Sequence, residues 1–309
     1  MPPHVTEGRR WLVLASCCLS LLLVMMDVTI VNVVLPSIRQ AFGASIAGLQ
    51  WIVDSYTLMV AALLMVAGTL ADRFGRKRVF LAGIVIFCLA SALCGLAATP
   101  TQMILARTLQ GVGGAMLNPV ALSIIANTFI EPGERAKAIG VWGMMSGIAL
   151  ALGPVVGGFI TDSFNWRWVF WVNLPIGLIA LLMTLRFVPE SRSPIVKRFD
   201  PVGQLLAALA TASLVGALIE GPDLGWGSLP IVLLLGLAVA STGGFVLVER
   251  RIANPMLNLG FFHSIPFASA TVLAILCFAV FASLLFLSTL YLQQIEGFSP
   301  AQAGWKLMP

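Results

Sequence analysis

Asp27, Asp54 and Arg107 are ionisable residues standing inside stretches otherwise built of apolar side chains. A carboxylate withdrawn from water favours its protonated form, and a nearby cation favours the charged form. Moving Arg107 relative to a carboxylate would therefore load or release a proton. Each residue also has a structural reading. Asp27 would be a fixed hydrogen-bond anchor between helices, Asp54 an interfacial solvated group, and Arg107 a tie to a carboxylate or to backbone carbonyls. The three lie about four, six and eight residues from the middle of their stretches, which on a helix is about 6, 9 and 12 Å. Asn32, Gln110 and Asn118 are further polar groups in apolar surroundings, suited either to lining a substrate path or to bonding a neighbouring helix.

Other chemistries find no residues. His4 and His263 are the only histidines, and neither has a second ligand type at metal spacing. Cys17, Cys18, Cys88, Cys94 and Cys277 all fall in apolar runs without paired spacing, so they read as core or lipid-facing residues. No cluster of His, Cys or Asp has catalytic spacing. The expectation is a protein that is not an enzyme, with no catalytic residue, no metal and no cofactor. The phosphate-cradling pattern GxxxxGK[ST] is also missing, which argues against direct use of ATP.

The elements that must position these residues follow from composition. Apolar residues make up 59% of the 309 and charged residues 10%, against about 25% charged in a soluble domain. Runs long enough to cross a bilayer occur at 12–34, 51–70, 79–98, 103–127, 136–161, 168–188, 202–220, 229–248 and 266–293. They do not alternate apolar with polar, so a helical bundle is expected rather than a barrel. The first run is too long for a signal peptide and is followed at once by more spans. Another span starts near Ser299 and Pro300 and stops at Pro309. Its helix would reach about 15 Å, half of the hydrocarbon core, so the chain is expected to be part of a longer product. The fold class is an all-α membrane protein, a polytopic helical bundle of about nine complete spans and a partial tenth.

Lysine and arginine set the orientation. With the N-terminus inside, the inner segments hold Arg9, Arg10, Arg73, Arg76, Lys77, Arg78, Arg135, Lys137, Arg186, Arg192, Lys197, Arg198, Arg250 and Arg251, and the outer loops hold only Arg39 and Arg167. The N-terminus is therefore expected in the cytoplasm, which places Asp27, Asp54 and Arg107 in the outer half of the membrane. The net charge of +5 is an orientation signal toward the lipid bilayer, and nothing calls for nucleic acid.

Two segments suggest moving parts. In GTLADRFGRKRVF (68–80), Gly68 removes a side chain where helices must approach, Asp72 sits where a helix meets water, and Gly75 permits a tight turn. Arg73, Arg76 and their basic neighbours suit an anionic leaflet. An ordinary positive-inside loop is the plainer reading, although the ordered glycines and aspartate are more specific than charge balance requires. In the fifth run, Gly140, Gly143, Gly147, Ala151, Pro154 and Gly158 share one helical face, with Gly153 and Gly157 beside it. Such a face allows close helix approach, either as static packing or as a contact broken and remade.

These segments carry a resemblance. GTLADRFGRKR resembles the loop signature between the second and third spans of the major facilitator superfamily, and ILARTLQGVGGA (104–115) resembles its fourth-span signature. GIALALGPVVGG (147–158) is similar to the fifth-span signature of antiporters. MDVTIVNVVLP (26–36), LQWIVDSYTL (49–58) and WRWVFWVNLPIG (166–177) resemble signatures of the 14-span drug:proton antiporter branch. The resemblance, to the N-terminal portion of such a protein, implies a bundle of the major facilitator type. It implies a secondary active exporter of drugs or other amphipathic or cationic compounds, working by alternating access against inward proton flow in the cell membrane. Its partners would be a small-molecule substrate, protons and lipid. It associates Asp27, Asp54 and Arg107 with proton coupling and cation recognition. Conformational gating is the role expected, from the residues themselves, of Gly68, Asp72, Arg73, Gly75, Arg76, Gly147, Gly153, Pro154, Gly157 and Gly158. The resemblance divides the chain into a six-helix bundle at 1–190, two additional helices at 191–255 and the start of a second bundle at 256–309. A dedicated exporter of one antibiotic, siderophore or lipid, or an inactive truncated fragment, would carry the same motifs.

Overall fold

A computed structural model describes residues 7–193, 200–252 and 259–307. Within these, each apolar run is helical over nearly all of its length, because a chain in hydrocarbon satisfies its backbone polar groups only by bonding to itself. The first five spans are α1 (Glu7–Phe42), α2 (Ile46–Phe74), α3 (Arg76–Leu96), α4 (Pro100–Thr128) and α5 (Pro132–Ser163). Next come α6 (Trp168–Trp171), α7 (Asn173–Phe187), α8 (Pro201–Leu224), α9 (Leu229–Arg251), α10 (Ile265–Leu290) and α11 (Pro300–Lys306). Nine spans among the described residues are long and apolar enough to cross a membrane. His4, Lys197, Arg198 and Pro309 lie outside the described residues, as does the expected boundary between 255 and 256.

The helices outrun the apolar runs. α1 has 36 residues because helical bonding continues through polar ends that hydropathy excludes. Side-chain caps fix several starts: Ser45 Oγ accepts from Gly48 N at 3.1 Å, and Thr99 Oγ1 from Gln102 N at 3.2 Å. Asp200 Oδ1 accepts from Val202 N and Gly203 N at the start of α8. The sixth span, expected as one helix, is split at Val172 into α6 and α7. Pro175 explains the break, since it has no N–H and its ring crowds the Trp171 carbonyl four residues back. The split puts Asn173 at the start of a helix deep in the bundle.

α1 packs most extensively on α5 and also meets α4 and α7, while α4 packs on α2 and α3. The α8–α9 hairpin docks on α2. There Glu220 accepts from the Trp51 indole at 2.7 Å, and the Gln204 amide donates to the Ala62 carbonyl. One end of the bundle gathers basic residues: Arg10 pairs with Glu134 at 3.1 Å, Arg9 Nε donates to the Phe187 carbonyl, and Arg76 N donates to the Ser191 carbonyl. At the opposite end Asp162 Oδ2 accepts from Ser299 Oγ at 2.6 Å and from Ala301 N at 3.1 Å, tying α11 to α5.

Candidate functional site

The expected charged trio divides. Asp27 projects from α1 and Arg107 from α4, and Arg107 Nη1 donates to Asp27 Oδ2 at 2.5 Å. Their exposures are 0% and 1%. Two charges so enclosed persist only with good geometry and with their remaining donors and acceptors satisfied. Arg107 Nε donates to the Ile52 carbonyl of α2 at 3.2 Å, and Nη1 also donates to Gln110 Oε1 at 2.8 Å. The Tyr56 ring covers the guanidinium at 4.4 Å, a contact of about 2 kcal/mol when desolvated. Asp27 Oδ1 accepts from Gln110 Nε2 at 2.9 Å and from Asn173 Nδ2 at 3.2 Å. Asn173 also donates to Ser91 Oγ, which donates to the Phe170 carbonyl. The network thus ties together α1, α2, α3, α4, α6 and α7.

Small residues let the helices come this close. A Cβ at Gly111 would meet the Tyr56 carbonyl at 2.6 Å, and one at Gly114 would meet Tyr56 Oη at 2.9 Å. Tyr56 and the Ile52 carbonyl reach Arg107 because α2 lies tight on this glycine-lined face of α4.

Asp54 stays outside the network. Among the described residues its carboxylate has no hydrogen bond or ion pair, and the one side chain that reaches it is Thr57, whose hydroxyl donates to its backbone carbonyl. The helical period explains this. Residues 52, 55, 56 and 59 of α2 turn toward α4, whereas Asp54 falls about half a turn away, beside exposed Thr57 and Ala61. Of the expected polar groups, Gln110 joins the network. Asn32 donates back to the Val28 carbonyl of its own helix at 2.9 Å, and among the described residues Asn118 Oδ1 is buried without a partner.

The 68–80 segment is a second, electrostatic site. Gly75 has φ of +111°, the conformation that favours glycine, and a Cβ there would meet the Glu190 carboxylate at 2.6 Å. Asp72 accepts from Arg76 Nε and Nη2, at 3.3 and 3.0 Å, and Arg76 Nη1 reaches the Ser123 carbonyl of α4. Glu190 accepts from Lys77 N and pairs with Arg78 at 3.6 Å. Arg73 is exposed beside Phe74. Among the described residues no neighbouring atom lies within 4 Å of a Cβ position at Gly68, so the close helix approach expected there is not seen; the crowded glycine is Gly75, against the Glu190 side chain.

The small-residue surface of α5 also divides. A Cβ at Gly153 would strike Thr29, and one at Gly157 would meet Ile30 Cγ1 at 2.6 Å, so these two form the contact with α1. Gly158 abuts Pro300 and Ala301, and Gly304 abuts Pro154, which joins α5 to α11. Among the described residues, nothing lies within 4 Å of a Cβ position at Gly140, Gly143 or Gly147.

Asn173, Ser91, Tyr56, Glu190 and Glu220 were not singled out from the sequence. Asn173 and Glu220 had a signal, a polar residue within or ending an apolar run. Glu190 had another, an acid placed to answer the basic 76–78 cluster.

The Major Facilitator Superfamily profile matches residues 17–309. The chain is 40% identical over 300 residues to "Multidrug resistance protein Stp" of Mycobacterium tuberculosis, across 96% of this chain and 56% of that protein. It is 38% identical over 309 residues to the "Tetracenomycin C resistance and export protein" of Streptomyces glaucescens, across 100% of this chain and 57% of that protein. The crystal structure of tetrameric PepTSo2 has the same fold, with a TM-score of 0.63 at 18% identity over 95% of this chain and 68% of that one. The chain therefore spans a little over half the length of these curated relatives.

Proposed function

The chain belongs to the Major Facilitator Superfamily, and we propose that it forms the amino-terminal portion of a 14-span, proton-coupled exporter of drugs or other amphipathic or cationic compounds. It is a multi-pass membrane protein. The proposed setting is the cell membrane with the N-terminus in the cytoplasm, supported by the basic residues gathered at one end of the bundle. The proposed division is a six-helix bundle at 1–190, an additional pair at 191–255 and the start of a second bundle at 256–309. The packing of α8 and α9 on each other, with α8 docked on α2, supports a separate pair.

The observation that carries the reading is the sealed Asp27–Arg107 pair. A buried carboxylate with a single cation can exchange a proton only if that cation moves relative to it or water reaches it, and alternating access supplies both. Asp27 then carries the proton and Arg107 sets when it leaves. Asp54, on the open side of α2, is the carboxylate that meets the positive charge of a substrate. Proton and substrate therefore act on different residues and are coupled through the bundle's conformation, each favouring one state.

Under this orientation the outer end is shut. Arg39 donates to Gln294 at 3.1 Å, Gln293 to the Val33 carbonyl at 2.8 Å, and Asp162 holds Ser299. The inner half of α5, with Gly140, Gly143 and Gly147, is open. In the outward-facing state the outer contacts part and the inner glycine face closes, while the Asp72–Arg76–Glu190 cluster gates the inner end. The name of the Streptomyces relative supports a second reading, an exporter dedicated to one antibiotic. A test is efflux of a cationic dye from energised cells. Collapse of efflux by a protonophore at unchanged ATP supports the reading, and efflux that survives the protonophore contradicts it.

A further inference from the structure

Asp27 is surrounded by donors. Oδ2 accepts from Arg107, and Oδ1 from the carboxamides of Gln110 and Asn173. This suits a carboxylate. A proton arriving on Oδ1 would turn an acceptor into a donor with nothing to receive it, and a buried unpaired donor is costly. One of the two carboxamides would have to turn over to offer its oxygen.

Gln110 is locked. Its Oε1 is held by Arg107 Nη1 at 2.8 Å and by Cys94 Sγ at 3.6 Å, and turning it would set an N–H₂ group against the guanidinium. Asn173 is not. It is 0% exposed, and among the described residues its Oδ1 is a buried acceptor without a partner. Its Nδ2 faces Asp27 Oδ1 and Ser91 Oγ, the latter at 3.0 Å. Ser91 Oγ now donates to the Phe170 carbonyl at 2.8 Å, and a hydroxyl can redirect its proton.

We propose that Asn173, backed by Ser91, is the positioning residue that lets the site hold Asp27 in both protonation states. Its carboxamide donates to the carboxylate and, after a half turn, accepts from the acid. In the turned arrangement Asp27 Oδ1–H donates to Asn173 Oδ1, and the Ser91 hydroxyl swings from Phe170 to the same oxygen. One end of the carboxamide is unpaired in either arrangement, so the protonation of Asp27 decides between them. The other titratable or charged groups facing Asp27 are Arg107 from α4, Tyr56 from α2 and Cys94 from α3. Arg107 and Gln110 stay in place. The inference rests on the reading of Asp27 as the proton carrier.

The test is drug-driven proton release from proteoliposomes, measured against pH for the unaltered protein, Asn173→Leu, Asn173→Gln and Asp27→Asn. Leucine takes the only acceptor from the acid but leaves the carboxylate two of its three donor residues. The Asn173→Leu profile is therefore expected to move to lower pH, by about tenfold in proton concentration, and glutamine to restore it. A leucine profile that overlays the unaltered one, with release abolished in Asp27→Asn, overturns the role of Asn173. Undiminished release by Asp27→Asn overturns the reading beneath it. If the position-173 variants do not fold, infrared difference spectra of the unaltered protein with isotope-labelled asparagine decide. An asparagine carbonyl band that shifts on acidification, and fails to shift in Asp27→Asn, is the expected result. No such band in the unaltered protein overturns the inference.

Discussion

Arg107 Nη1 lies 2.5 Å from Asp27 Oδ2, and both side chains are closed to solvent. Removing one member of such a pair leaves an uncompensated buried charge, at about 3–5 kcal/mol. Arg107→Leu is expected to lower the thermal midpoint of the detergent-solubilised protein steeply. Adding Asp27→Asn should recover much of the loss, because the stranded charge is then gone. A double variant no more stable than Arg107→Leu would place the cost in lost packing against Tyr56 rather than in charge.

Gly153 and Gly147 occupy the same helix but opposite circumstances. A side chain at Gly153 would strike Thr29 of α1, whereas among the described residues nothing lies within 4 Å of a Cβ position at Gly147. Gly153→Leu should destabilise the protein by at least the 1–3 kcal/mol or so typical of overpacking. Gly147→Leu should leave stability unchanged yet block transport if, as proposed, the glycine face closes in the other state. Thermal unfolding and dye efflux measured on both variants check this. Normal efflux by Gly147→Leu would remove that face from gating.

Arg78 reports orientation better than Arg76. Its side chain is 69% exposed against 14%, and its 3.6 Å pair with Glu190 is loose. A surface pair of this kind contributes about 0–1 kcal/mol, so Arg78→Cys should fold normally. In a background without the native cysteines, an impermeant thiol reagent should label it only from the cytoplasmic side. Labelling of intact cells would reverse the proposed topology.

The positions of the spans were legible because hydrocarbon leaves the backbone no alternative to helix, and an apolar run announces itself. The break at Val172 was legible in principle from Pro175, yet hydropathy averages over it. The Asp27–Arg107 pairing was legible as a shared half of the membrane and little more. Depth says nothing of azimuth, and azimuth is why Asp54 turns away from Arg107 while Tyr56, two residues on, covers it. Gly147, Gly153 and Gly157 looked alike in sequence and differ only in which helix stands opposite. Asn173 was hidden inside a recognisable motif because its importance lies in one unpaired oxygen, a property of three-dimensional surroundings.

The central claim is that Asp27 carries the coupled proton, and drug-dependent proton release from proteoliposomes under an imposed pH gradient tests it most directly. Asp27→Asn keeps the size of the side chain and removes its capacity to exchange a proton. The neighbouring Gln110, Asn173 and Arg107 groups then face a neutral amide. Arg107 is left without its counter-charge, so the variant should lose stability. The account predicts that, compared at matched amounts of inserted protein, it releases no protons on drug addition. Asp54→Asn should still release protons while losing preference for cationic over neutral compounds. Proton release by Asp27→Asn equal to that of the unaltered protein would contradict the account and make Asp54 the coupling carboxylate.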